Sequence, residues 1–243
     1  MTNIKGKWAL VTGASRGMGR QAAKFLAEQG CNVILHSRSL EHTASLLEEI
    51  KALGVEAAAV AAELSDLSQV GAMLSGIDAM GRQIDIVLNN AAVQIAYRTD
   101  WLTTPAEDYT TSFVINTTAP MMICYHFLPG MIQRGFGRIV NTTSGIDKEP
   151  QQAGYSASKA ALDKVTRDLG TTVEGTDVII SLADPGWCRT DLGGPNAPNS
   201  VESAMPGIVL GVFVDDGRSG RIFHAQDYCG MTLDQALEAV NGK

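Results

Sequence analysis

Short apolar runs alternate with helix-spaced segments along most of this chain, and that alternation limits the fold more than any other feature. The runs are "WALVTG" (8–13), "NVILHSR" (32–38), "IDIVLNNAA" (84–92), "GRIVNTTS" (137–144) and "DVIISLADPG" (177–186). Between them lie 19–30, 40–54, 66–81 and 152–173, whose apolar residues recur at the spacing of an amphipathic helix. Gly30 and Gly54 stand where a helix C-terminus favours glycine. The stretch "VEAAAVAAEL" (55–64) falls where a third strand belongs, although its alanines also suit a helix. Residues 106–135 read as one long helical stretch, with kinks or breaks at Pro120 and Pro129. Strands separated by helices join through crossovers, which makes the sheet parallel. Right-handed crossovers then place helices on both faces. The expectation is an α/β fold in three layers, a doubly wound and mostly parallel sheet between helices, as one domain over residues 1–243.

Residues 191–206, "DLGGPNAPNSVESAMP", interrupt the rhythm. They are rich in Gly, Pro, Asn and Ser, and too long for a routine connection, which suggests a substrate-binding loop or lid.

Composition removes several functions. Hydrophobic residues make up 45% and charged residues 19%, enough to bury a core and to exclude disorder as the default. The net charge of −7 comes without any basic block, so nucleic acid and anionic membrane surfaces are not expected partners. No apolar run approaches the ~18 residues of a membrane span. Cys31, Cys124, Cys188 and Cys229 are scattered without a CxxC pair, against a zinc cluster or a disulfide framework. His126 and His224 lack metal-ligand spacing. The N-terminal "MTNIKGKWALVTGASRG" has no apolar signal core, and a cytoplasmic protein with free thiols and no metal is expected.

The first strand runs into "TGASRGMG" (12–19) and then a helix. Gly13, Gly17 and Gly19 allow a sharp turn and close approach to a pyrophosphate, and the following helix offers its N–H groups and positive dipole end. The spacing is GxxxGxG, not the commoner GxGxxG. At the end of the second strand stand Ser37 and Arg38, where a carboxylate would hold an NAD ribose. Arg38, with Arg16 in the glycine loop, favours a 2′-phosphate, hence NADP(H), with NAD(H) as the alternative.

Tyr155 and Lys159 are an i, i+4 pair and share one helix face. A phenol is a weak acid near pKa ~10. A nearby ammonium is expected to lower that value and make the pair useful for proton transfer. Ser144, after the preceding strand, can donate a hydrogen bond to a carbonyl oxygen. Gln94 and Trp187 are candidates to face a substrate. Met121 and Met122 read as core.

These pieces together resemble the short-chain dehydrogenase/reductase family, common single-domain type. The resemblance rests on "TGASRGMG", "NNAA" (89–92), Asn116, Ser144, "YSASK" (155–159) and "PGWCRT" (185–190), in that order. It implies a Rossmann-type sheet of seven strands. It implies Tyr155 as proton donor or acceptor, Lys159 on the nicotinamide ribose, Ser144 on the substrate carbonyl, and Asn116 at a water in a proton relay. It implies cofactor contacts from Gly13, Ser15, Arg16, Gly17, Met18 and Gly19. Further contacts fall to Ser37, Arg38, Glu63, Leu64, Asn90, Ala91, Ala92, Pro185, Gly186, Trp187 and Thr190. It also implies a homo-oligomer, dimer or tetramer. Three departures stand out: Ala92 replaces a common glycine, Glu63 stands where an Asp is usual, and the Ser144–Tyr155 loop is shorter than usual. "PGWCRTDLGG" followed by "SGRIFH" looks nearest the carbonyl-reductase branch. The implied activity is NADPH-dependent reduction of a small aldehyde or ketone. Alternatives are alcohol oxidation with NAD(P), a dehalogenase or lyase on the same scaffold, or a non-catalytic NADP(H) sensor.

Overall fold

The computed structural model describes residues 1–242. Its centre is the strand β1 (Trp8–Val11), buried along its whole length. A strand covered on both faces must be apolar throughout, which is why its sequence does not alternate with polar residues. The remaining strands are β2 (Asn32–Ser37), β3 (Ala57–Ala61), β4 (Ile84–Asn89), β5 (Gly137–Thr142), β6 (Val178–Asp184) and β7 (Ile222–His224). They form a seven-stranded sheet in the order β3-β2-β1-β4-β5-β6-β7, and every pairing is parallel. The alanine-rich third run is thus a strand, pairing with β2 from Val33↔Ala57 to Ser37↔Ala61. Neighbouring β2 supplies a hydrogen-bonding edge, and that pairing overrides alanine's intrinsic preference for helix.

Side chains of each strand point alternately to the two faces. On one face Ala9, Val11, Val33 and Leu35 pack under α1 (Gly17–Glu28) and α2 (Ala44–Ala52), with α7 (Leu210–Phe213) and α8 (Leu233–Asn241) in the same core. On the other face Trp8, Leu10 and Ile34 pack under α3 (Leu67–Ala79), α5 (Ala119–Arg134) and α6 (Ala153–Thr171). Leu26 of α1 is fully buried, which contributes about 2 kcal/mol relative to an exposed leucine. Met121 is core and Met122 packs beside it, partly buried.

The long helical stretch departs from the sequence expectation. The helix α4 (Ala106–Phe113) passes into α5 through a π-helical turn, Val114–Thr118. Pro120 falls in the first turn of α5, where its missing N–H is tolerated. Pro129 lies inside α5 without ending it. The irregularity is therefore the widened turn around Asn116, not a break at either proline. Pro120 stands four residues after Asn116 and has no N–H to give that carbonyl, so the ordinary helical bond is lost there.

Candidate active site

From β1 the chain winds outward through β2 to β3, then returns to place β4 on the other side of β1. The crevice at this reversal, outside the carboxyl ends of the strands, is where doubly wound sheets bind ligands. Every sequence-derived candidate lies on this edge or on the helices beside it. Gly13 follows β1, Arg38 follows β2, Glu63 follows β3, Asn90 follows β4, Ser144 follows β5 and Pro185 follows β6.

The glycine loop is held against the segment after β4. A Cβ on Gly13, whose φ is +66°, would lie 2.9 Å from Ala91 Cα. One on Gly19 would lie 2.3 Å from the Gly13 carbonyl oxygen and 2.6 Å from Asn90 Nδ2. Thr12 Oγ1 accepts from the backbone N–H groups of Asn90 and Ala91, each at 3.0 Å. Asn90 Nδ2 donates to the Thr12 carbonyl at 3.2 Å. The first turn of α1 carries no acidic residue, and no side chain caps it. That end of the helix keeps its affinity for an anion. Ser15 and Met18 are half-buried around this turn.

His36 of β2 fixes the loop from below. Its Nδ1 accepts from Gly13 N–H at 3.3 Å, and its Nε2 lies 3.1 Å from the Ala62 carbonyl. This pairing requires the neutral ring with its proton on Nε2. Burial favours the same state by holding the His36 pKa below its ordinary value. The sequence reading missed this residue, because a histidine inside an apolar strand carries no distinguishing local pattern.

Of the two arginines expected at a 2′-phosphate, the structure leaves one without a protein partner. Arg38 is exposed and makes no hydrogen bond or ion pair among the described residues. Arg16 instead pairs with Asp191 at 2.8 Å, both side chains well exposed. Ser37 is buried, and its hydroxyl donates to the Ser39 carbonyl. Glu63 turns back on itself, with Oε1 accepting from Ser65 N–H at 3.4 Å, and Leu64 is buried.

The second cluster gathers where α6 crosses the end of β5. Tyr155 lies beside Ser144, whose hydroxyl acts to lower the phenol's pKa. One turn along, Lys159 is 3% exposed and its Nζ donates to the Thr142 carbonyl at 2.7 Å. The ammonium stands 6.0 Å from the centroid of the Tyr155 ring. Burial raises the Tyr155 pKa, with Asp184 adding to the rise and the Ser144 hydroxyl opposing it. The expected lowering by the ammonium is not found: Ser144 alone opposes the rise, desolvation outweighs it, and the phenol holds its proton. Burial also pushes Lys159 down to about 8, against the opposing charge of Asp163.

Asn116 joins this cluster to the segment after β4. Its Nδ2 donates to the Val93 carbonyl at 2.9 Å and to Ser158 Oγ at 3.0 Å. Its Oδ1 accepts from Val93 N–H at 2.9 Å. Ser158 Oγ in turn donates to the Tyr155 carbonyl at 2.7 Å. The amide therefore clamps α6 to the strand end. Ala92 and Gln94 are half-buried in that same segment, and the next residue, Ile95, accepts from Gln152 just before α6.

After β6 the chain forms an organised loop. Trp187 Nε1 donates to the Gly193 carbonyl at 2.7 Å, and Thr190 Oγ1 accepts from Gly193 N–H at 3.0 Å. Asn199 Nδ2 donates to the Trp187 carbonyl at 3.0 Å, while Gln226 Nε2 donates to the Pro185 carbonyl at 2.8 Å. Gly186, with φ of +72°, turns the chain over Gln226. A Cβ on Gly17 would lie 3.3 Å from Thr190 Cγ2, so this loop reaches the glycine loop. Trp187 is 57% exposed and Cys188 is buried. Asp184, also missed from sequence, accepts from Gly186 N–H at 3.0 Å and faces His224 Nδ1 at 3.3 Å.

Known proteins agree with this architecture. The family described as short chain dehydrogenase matches residues 7–200. A short chain dehydrogenase of Pseudocercospora fijiensis is 31% identical over 208 residues, 84% of this chain and 66% of the relative, so the chain spans just under two thirds of that protein. The ketoacyl reductase HetN of a Nostoc strain is 32% identical over 219 residues, 84% of this chain and 76% of HetN. A solved metagenomic short-chain oxidoreductase in complex with NADP superposes with a TM-score of 0.70 at 31% identity, covering 79% of this chain and 87% of that one.

Proposed function

This chain belongs to the short-chain dehydrogenase family of oxidoreductases, and from that premise we propose that it reduces a small aldehyde or ketone with NADPH. The observation that carries the reading is the joint placement of Ser144, Tyr155 and Lys159 beside the glycine loop, on one edge of the sheet. The metagenomic relative binds NADP, which supports a nicotinamide cofactor here. The residues fit such a group. The uncapped N-terminus of α1 would hold a pyrophosphate, the loop admits no Cβ at Gly13 or Gly19, and the exposed Arg38 would take a 2′-phosphate. When bound, the nicotinamide supplies the hydride.

The protein's part is to orient the carbonyl and deliver a proton. Ser144 Oγ donates a hydrogen bond to the substrate oxygen. Tyr155 Oη donates its proton to the same oxygen as negative charge develops there. A phenol whose proton is retained by burial and by Asp184 starts in the state a reductive step needs. Lys159 stabilises the phenolate left behind. Asn116 keeps α6 at a fixed distance from the strand end, which holds Tyr155 in place. Trp187 and Gln94 border the side from which substrate enters. The enzyme works in the cytoplasm as a homo-oligomer, and alcohol oxidation is the same step reversed. Absorbance at the NADPH band, followed on mixing with a panel of aldehydes and ketones, tests the reading. Consumption with at least one carbonyl is expected, and no consumption across the panel would contradict it.

A further inference from the structure

The side chains at positions 155, 159 and 163 form one row on α6, each four residues from the last, and all three dock on consecutive residues at the end of β5. Tyr155 stands beside Ser144, Lys159 donates to the Thr142 carbonyl at 2.7 Å, and Asp163 Oδ1 accepts from the Thr143 hydroxyl. An i, i+4 spacing puts the carboxylate of Asp163 on the same face as the ammonium, one turn away. Thr143 is buried, and its own N–H donates to the Ala183 carbonyl of β6 at 2.8 Å. The hydroxyl that holds Asp163 is thus fixed by the sheet itself.

We infer that Asp163 is a positioning residue of this site: it keeps the buried Lys159 in its charged form and, through Thr143, holds the strand end that presents Ser144. The inference rests on reading Lys159 as a working member of the site. Lys159 is almost fully enclosed, its one hydrogen-bond acceptor is a neutral carbonyl, and a buried ammonium without a counter-charge gives up its proton. The charged and hydrogen-bonding groups around this row of side chains come from four elements. On α6 they are Tyr155, Asp163 and Arg167; on the β5 exit, the Thr143 and Ser144 hydroxyls. On β6 there is Asp184, with His224 of β7 against it. Asp184 reaches Tyr155 and Asp163, whereas Asp163 is the group whose charge opposes the burial of Lys159. Burial raises the Asp163 carboxyl in turn, while the Thr143 bond, Arg167 and Lys159 act to keep it ionised.

The test titrates Lys159 directly in the free protein, by the NMR signal of its 13Cε, so that it does not depend on turnover. The wild-type midpoint is expected near 8. Asp163→Asn removes the negative charge and lowers that midpoint by about one unit, and Asp163→Glu restores it. The alkaline limb of kcat/KM moves down in pH by the same amount in Asp163→Asn. Should that variant not fold, the wild-type carboxyl signal of Asp163 still decides, because it must show a second inflection at the Lys159 midpoint. An unshifted Lys159 midpoint in Asp163→Asn, a shift in Asp163→Glu as large as in Asp163→Asn, or no second inflection at Asp163 would overturn the inference. If the midpoint shifts but no carbonyl is reduced by any form, this coupling stands and the proposed activity falls.

Discussion

The two halves of the candidate site are built from different materials. Around β1, β2 and β4 the edge is made of backbone: close-packed glycines, N–H groups at a helix end, and one buried histidine that braces them. Around β5 and β6 it is made of side chains brought together from the π-helical turn, α6 and the strand ends. The first half has little freedom, because a single added carbon meets a main-chain atom. The second half has many adjustable groups, and its chemistry depends on which of them hold charge. Binding and turnover should therefore fail separately when the two halves are damaged.

The largest separation is expected at Gly19. Alanine is intrinsically better than glycine in a helix by about 0.5–1 kcal/mol, but that gain is small against a Cβ placed 2.3 Å from a carbonyl oxygen. Gly19→Ala should remove measurable NADPH binding by calorimetry while the protein keeps its circular dichroism spectrum. Binding within a few-fold of wild type would mean that the loop is adaptable and that the contrast between the halves is overstated. A smaller effect sharpens the same contrast at Arg38, the arginine here without a protein partner. Arg38→Asp should weaken NADPH affinity about tenfold, the scale of one charge-assisted hydrogen bond, and shift preference toward NADH. An unchanged ratio of the two affinities would remove Arg38 from the 2′-phosphate.

How much of this could be read from sequence follows the same division. Strands such as β1 and β4, buried on both faces, announce themselves as apolar runs, and glycines forced by contact mark the loop after β1. The Tyr155–Lys159 spacing was legible because helix geometry alone puts the pair on one face. Asp163 obeys the same spacing and could have been noticed by extending the row one more turn. Asp184 and His36 could not, since their importance comes from partners 40 and 23 residues away in the chain. The ion pair of Arg16 was hidden for a similar reason: its partner Asp191 lies in a loop whose path depends on Trp187, Asn199 and Gln226. The π-helical turn was also hidden. Prolines mark where a helix loses a hydrogen bond, yet not how the neighbouring turn absorbs the loss.

The central claim is that Tyr155 delivers the proton while the opposite half of the site holds the cofactor. Tyr155→Phe removes one oxygen atom and leaves the ring in its packed position. Single-turnover oxidation of bound NADPH by a reducible carbonyl, measured on wild type and this variant at the same cofactor saturation, tests the claim directly. General acid catalysis of this kind is worth about 10²–10⁴ in rate, so the variant should slow by at least two orders of magnitude with NADPH affinity unchanged. A rate within tenfold of wild type, or an equal loss of NADPH affinity, would contradict it.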